Sequence, residues 1–200
     1  LSMYPLAHLL AGILLGILLA VIARDSRLIP ACALGSILPD LVDKPVGLLL
    51  FPEIFGTGRI FFHALLIFGL ILFAGILVST KYPRIGILIL AVAAGVITHQ
   101  VLDAMWLQPA NWYWPALGPF EGHSRPDFFI DAFWRTIKNP TEWLAGIAIL
   151  AFLVIAAVPR YGERFRSELK GPWIRRLSLP LILLMSATAV LLVAIGIYYG

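Results

Sequence analysis

The sequence is poor in charge and almost free of cysteine. Only 13% of its 200 residues are Asp, Glu, Lys or Arg, whereas soluble domains carry about 25%. Hydrophobic residues make up 60% of the chain, which excludes intrinsic disorder and an ordinary soluble domain. The single cysteine, Cys32, excludes an internal disulfide and with it a small disulfide-rich secreted fold. The composition therefore indicates a membrane protein that crosses the bilayer several times.

Apolar runs near the roughly 20 residues that a spanning helix needs recur along the chain. They cover residues 7–23, 60–79, 85–107, 142–158 and 177–199. Residues 28–51 are less regular, because Pro39-Asp40 interrupts an apolar stretch that begins at Leu28. We expect a short helix there, followed by a broken or re-entrant piece covered by protein or water. The sequence predicts an all-α protein of about six transmembrane helices, the second short and broken, in a single domain over residues 1–200.

The segment between the fourth and fifth long runs, residues 108–141, is aromatic and contains an amphipathic stretch at 127–138. At helical spacing, Asp127, Asp131 and Arg135 share one face, while Phe133 and Ile137 lie on the other. Such a helix is typical of the membrane interface. Asn139-Pro140 then predicts the start of the next helix. Whether residues 108–138 open as a lid stays undecided at this level.

The basic residues predict the orientation of the chain. Ten of the fifteen lysines and arginines lie in the segments 24–27, 80–84 and 159–176, which six crossings place on one side. The positive-inside bias makes that side cytoplasmic and leaves both termini outside. We accordingly attribute the net charge of +4 to the orientation of the chain in the membrane and to contacts with anionic lipid headgroups. No nucleic-acid partner is expected.

Five ionisable residues interrupt the apolar segments, and the predicted topology places all of them at the outer side. They are His8, Asp40, His63, His99 and Asp103. Imidazole and carboxylate groups are the ligands of zinc and similar metals, and burying them without a partner is costly. A metal site is one interpretation. A hydrogen-bonded clamp between helices is the other.

Several residues near these five also have two interpretations, a role at a metal site or a purely structural one. Lys44 and Arg59 suit the binding of an anionic substrate beside a metal, or they form salt bridges with Asp43 and Glu53 respectively. Asp43 itself either supports a metal ligand or forms that bridge. His123, in the outer loop, is a solvated loop residue or a further supporting residue.

The motifs that carry these residues resemble the inner-membrane metal-dependent hydrolases, a prokaryotic family of small polytopic proteins. The resemblance covers about residues 4–120. It is carried by His8-Leu-Leu-Ala-Gly, Gly35-Ser-Ile-Leu-Pro-Asp40-Leu-Val-Asp43-Lys44, Gly58-Arg59-Ile-Phe-Phe-His63, His99-Gln-Val-Leu-Asp103-Ala-Met-Trp106 and Trp114-Pro115.

The order of these residues is also similar to the zinc-dependent phospholipase C and single-strand nuclease superfamily. That resemblance implies that Asp40, His63, His99 and Asp103 surround one metal, and that His8 binds a second one that shares Asp103. The soluble enzymes have a further histidine after the His-x-x-x-Asp element and then a distal His-x-x-x-Glu or His-x-x-x-Asp pair. This chain has no such distal pair, and only His123 remains to offer. One or two ions, zinc or else manganese, are therefore expected rather than three.

The sequence thus leads to a hypothesis of a metal-dependent hydrolase in the outer half of a prokaryotic inner membrane. Asp40, His99 and Asp103 would be catalytic, with Lys44 and Arg59 on a lipid-like phosphoester. Zinc would lower the pKa of water toward neutrality for attack on that ester. Two alternatives remain, a transporter of metal ions or protons and a scaffold in which the metal only ties helices together.

Overall fold

A computed structural model describes residues 4–122 and 128–158, together with Glu163 and Ser167. The described residues are helical and contain no strand, which confirms the all-α membrane class. Eight α-helices follow one another, joined by a π-helical turn at Val46–Leu50 and 3-10 turns at Phe61–His63 and Met105–Leu107. The helices are α1 (Pro5–Ala23), α2 (Leu28–Pro45), α3 (Pro52–Phe55), α4 (Leu65–Lys81), α5 (Pro83–Leu102), α6 (Pro109–Trp112), α7 (Phe128–Lys138) and α8 (Pro140–Ala157).

Three of the described helices, α1, α5 and α8, are long and apolar enough to cross a membrane. At 1.5 Å per residue they span about 27–30 Å, close to the hydrocarbon thickness. Helix α4 is also apolar but has 17 residues. These four helices match the predicted runs 7–23, 60–79, 85–107 and 142–158 with shifted ends. The predicted run 177–199 and the basic segment 159–176 lie outside the continuously described residues.

Helix α2 differs from its prediction. The break expected at Pro39-Asp40 comes later, because the helix continues through a buried Pro39 and ends at Pro45. Packing against α1 on one side and α5 on the other stabilises the helix and overrides the local cost of proline. As a result, Asp40, Asp43 and Lys44 lie in the last two turns of one helix rather than on irregular backbone.

Two glycines let α2 approach α5 closely. A Cβ atom at Gly35 would collide with the carbonyl oxygen of Val92, and one at Gly95 would collide with that of Cys32. Only a residue without a side chain permits this approach. The contact matters for the site, since it brings the backbone of Ser36 beside His99.

Helix α7 has the amphipathic character predicted for it. Its apolar side chains Ile130, Phe133 and Trp134 are exposed, while Asp131 and Arg135 form an ion pair with N–O 3.6 Å. Helix α8 begins as predicted, because Asn139 Oδ1 accepts a hydrogen bond from the backbone N–H of Thr141 at 2.9 Å. The side chain of Trp143 ties the two helices, donating from Nε1 to the carbonyl of Ile137 at 2.7 Å.

Candidate metal centre

The five residues singled out in the sequence meet at one end of the bundle. His8 lies in the first turns of α1, Asp40 near the end of α2 and His63 in the 3-10 turn before α4. His99 lies in the last turn of α5, and Asp103 follows that helix as its C-cap. The three imidazoles are buried, with exposed fractions of 0–4%. Four separate chain segments thus deliver imidazole and carboxylate groups to one end of the bundle.

The first group of donors, called here the inner triad, consists of Asp40, His63 and His99. The two Nε2 atoms are 3.1 Å apart, and Asp40 Oδ1 lies 3.7 Å from His63 Nε2 and 3.6 Å from His99 Nε2. Donors around a tetrahedral zinc at 2.0–2.1 Å are separated by about 3.3 Å. The inner triad therefore already has nearly the spacing of three corners of such a site.

The second group, the outer triad, consists of His8, His99 and Asp103, whose donor atoms lie within 4.8 Å of one another. His8 Nε2 is 3.1 Å from Asp103 Oδ1. The rings of His8 and His99 face each other with centroids 4.3 Å apart. His99 belongs to both groups but offers one ligand atom, so it can serve an ion in only one of them at a time.

Hydrogen bonds at Nδ1 determine which nitrogen of each ring is left for a ligand. His63 Nδ1 is 2.7 Å from Asp43 Oδ2, His99 Nδ1 is 2.7 Å from the carbonyl of Ser36, and His8 Nδ1 is 2.6 Å from that of Tyr4. All three partners only accept hydrogen bonds, so each ring carries its proton on Nδ1. In a neutral ring Nε2 then presents a lone pair.

The consequence is a concentration of lone pairs at one point. His63 Nε2 and His99 Nε2 face each other, and His8 Nε2 faces a carboxylate oxygen. Within the part of the chain that the structure describes, the buried atoms His8 Nε2 and Asp40 Oδ1 have no hydrogen-bond partner. Unpaired lone pairs at these distances repel one another unless a cation lies between them. The donor set therefore fits a metal ion of the zinc type.

Asp43 supports His63 rather than pairing with Lys44. Its buried carboxylate accepts from the backbone N–H groups of Ile60, Phe62 and His63 at 3.0–3.1 Å, as well as from the His63 ring. One side chain thereby holds the whole turn that carries His63. A carboxylate behind a histidine is also the usual way to orient a metal ligand.

Lys44 and Arg59 have partners other than those considered from sequence. Lys44 Nζ pairs with Asp40 Oδ2, one helical turn earlier, instead of with Asp43. Arg59 donates from Nε and Nη2 to Asp103 Oδ2, at 2.9 and 2.8 Å, instead of pairing with Glu53. Both cations thus contact a carboxylate of the donor groups while Asp40 Oδ1 stays turned toward the imidazoles. Three carboxylates and two cations leave the site with one net negative charge when the imidazoles are neutral.

Three residues of this centre were not found from the sequence. Ser36 contributes only its backbone carbonyl, which leaves no signal in the sequence. Gln100 is fully buried and donates to the carbonyls of Phe62 and Ala64, on either side of His63, at 3.0 and 3.3 Å. Its position, a polar residue in an apolar helix next to His99, was the available signal. The third, Glu142, lies in the first turn of α8, and its buried carboxylate accepts from the backbone N–H groups of Leu6 and Ala7, just before His8.

Aromatic residues pack next to the turn that carries His63. Phe61 contacts Trp114 and Phe120 with centroid distances of 5.4 and 5.2 Å, and Trp114 stacks on Phe120 at 4.8 Å. Trp112 Nε1 donates to Gln100 Oε1 at 3.0 Å. The first part of the predicted loop 108–141 therefore covers the His63 side of the centre. His123 lies outside the described residues.

One comparison with known proteins bears on the location of this chain, and none bears on its chemistry. A family profile described as the YdjM inner membrane protein matches residues 3–198, and the chain belongs to that family. Membership confirms a prokaryotic inner-membrane protein. No curated protein and no solved structure matches the chain significantly.

Proposed function

For a member of this inner-membrane family, we propose a metal-dependent hydrolase that cleaves the phosphoester of a membrane lipid at the outer face. The observation that carries the proposal is the common orientation of His8, His63 and His99. Each ring donates from Nδ1 to an oxygen acceptor and turns the lone pair of Nε2 toward carboxylates or another ring. A clamp made only of hydrogen bonds would place a donor opposite each of those lone pairs.

Asp40, His63 and His99 would hold one zinc ion, with Asp103 beside it. His8 and Asp103 would hold a second ion, while His99, whose single free lone pair can serve one ion, would belong to the first. Bound zinc supplies Lewis acidity and lowers the pKa of water toward neutrality. Manganese is the alternative metal, since carboxylates also suit it.

The charges of the site favour an anionic substrate. One net negative charge becomes one net positive charge when a single divalent ion binds. Arg59 and Lys44 are already directed at the two carboxylates and would turn to phosphoryl oxygens, where charge develops during hydrolysis. Asp40, His99 and Asp103 are the catalytic candidates, because each would touch the metal and the reacting group.

The surroundings of the site favour a lipid over a soluble ester. Leu49, Leu50, Phe51 and Ile54 follow Lys44 closely along the chain and are 48–72% exposed. Such a surface suits acyl or isoprenoid chains in the bilayer. The outer-face assignment rests on the positive-inside bias, with both termini outside.

The test begins with metal content. The full chain is purified in mild detergent without chelator, and zinc and manganese per chain are measured by mass spectrometry. We expect one or two ions in the wild type and in the exposed control Asp131→Ala, and their loss in Asp103→Ala. Asp103→Asn retains the volume of the side chain and serves if the alanine variant does not fold. A wild type without metal after reconstitution with zinc would contradict the proposal.

A measurement of hydrolysis distinguishes the hydrolase from a transporter and from a scaffold. Phosphatidate and an isoprenyl phosphate are presented in mixed micelles, and released phosphate is measured. We expect release by the wild type and none by Asp103→Asn or His99→Ala. Zinc uptake into proteoliposomes without hydrolysis would instead identify a transporter. Bound metal with neither activity would identify a scaffold.

A further inference from the structure

We propose that Glu142 is a positioning residue for His8, although the two lie on different helices. Glu142 is in the first turn of α8, and its side chain is 2% exposed. Its two carboxylate oxygens accept hydrogen bonds from the backbone N–H groups of Leu6 and Ala7, each at 3.0 Å. Those two residues directly precede His8.

The two hydrogen bonds to Glu142 satisfy backbone N–H groups in the first turn of α1. The first N–H groups of a helix have no acceptor within it, and the N-cap Tyr4 gives no side-chain cap. Pro5 has no N–H, Leu6 and Ala7 bind Glu142, and the N–H of His8 donates to the carbonyl of Tyr4 at 3.0 Å. Every backbone donor of this turn thus has a partner. The negative charge also lies favourably at the positive end of the helix dipole.

This first turn is what holds the imidazole of His8. The carbonyl of Tyr4 accepts from both the backbone N–H and the Nδ1 of His8. If the turn frays, that carbonyl moves and the ring loses the bond that directs Nε2 toward Asp103. Glu142 therefore acts on His8 through the backbone of residues 4–7, without touching the ring.

Glu142 is itself fixed in place. The Asn139 cap and the bond from Trp143 to Ile137 define the start of α8, and α8 packs along α1 through the buried Ala145 and Ile149. Among the described residues, no cation lies within ion-pair distance of the carboxylate. Burying a carboxylate without a cation beside it costs free energy. A serine or aspartate at the N-cap of α1 would satisfy the same N–H groups without a buried carboxylate from α8. The remote carboxylate instead makes the geometry of His8 depend on the position of α8.

The test monitors the histidine side chains in the metal-free, full-length protein. The chain has only four histidines, so their imidazole nitrogen resonances can be assigned by single substitutions. In Glu142→Ala we expect the His8 resonances to shift and broaden, while those of His63, which Asp43 holds, stay unchanged. Glu142→Gln retains one oxygen acceptor and should give a smaller change. Glu53→Ala, an exposed glutamate on α3, is the control.

Unchanged His8 resonances in folded Glu142→Ala, or equal changes at His8 and His63, would overturn the proposal. If the alanine variant does not fold, Glu142→Gln gives the same comparison between the two rings. The link to metal rests on the proposed function: zinc affinity at the outer triad should fall about 10- to 100-fold in Glu142→Ala. If the wild type bound no zinc, the proposed function would fail, while the resonance test would still decide the positioning.

Discussion

The inner and outer triads share His99 but are held in different ways. In the inner triad, Asp43 binds the ring of His63 and three backbone N–H groups of its turn, while the carbonyl of Ser36 fixes His99 from a glycine-packed helix contact. In the outer triad, His8 depends on the first turn of α1 and on a carboxylate from α8. One set of ligands is therefore built into the helix core, and the other is built at a helix end.

This difference predicts which of the two triads holds a metal ion more tightly. Buried groups of the helix core orient the ligands of the inner triad, whereas a helix terminus frays within its first turn. We expect the inner triad to hold metal more tightly and to keep it when the outer one is disturbed. Three substitutions test that expectation.

The largest effect is expected for Asp43→Asn. An amide retains one acceptor oxygen and places an NH₂ group against backbone N–H donors, so at least one buried hydrogen bond is lost. We expect the free energy of unfolding to fall by about 1–3 kcal/mol and zinc affinity by about 10- to 100-fold. Thermal unfolding in detergent measures the change in stability, and chelator competition measures the zinc affinity. The exposed Asp131→Asn is the control. An unchanged zinc affinity would show that Asp43 does not support the inner triad.

His8→Ala should have a selective effect. It removes one donor of the outer triad and leaves Asp40, His63 and His99 with their partners. We expect one zinc ion per chain to remain, with the affinity of the inner triad within about a few-fold of the wild type, because its three donors and the partners that orient the His63 and His99 rings are retained. Metal analysis and chelator competition provide the measurement. Complete loss of metal would mean that the two triads are not separable.

The smallest effect is expected for Trp112→Phe. It removes the bond to Gln100 Oε1 but leaves both Gln100 bonds beside His63. We expect a loss of about 1 kcal/mol, or a Tm lower by about 2–4 °C, with zinc affinity unchanged. The exposed Trp134→Phe is the matched control. A large fall in zinc affinity would show that the inner triad is less redundantly held than proposed.

Much of this architecture was predictable because the membrane makes polar residues rare. The four described helices that match apolar runs were visible in the sequence, since each run has to fill about 30 Å of hydrocarbon. His8, Asp40, His63, His99 and Asp103 stood out for the same reason. The charge bias of Lys and Arg predicts that all five lie on the outer side, which stays a prediction, while the structure brings them together at one end of the bundle.

The sequence by itself determined the helices, their apolar faces and the set of ionisable side chains, because length and hydropathy are local properties. Only the tertiary structure decided the partners: Arg59 with Asp103, Asp43 with the turn of His63, and Glu142 with α1. It also decided that α2 continues through Pro39. Each of these depends on contacts between segments far apart in the chain, where several acceptors of equal chemistry compete and only packing determines which one is in reach.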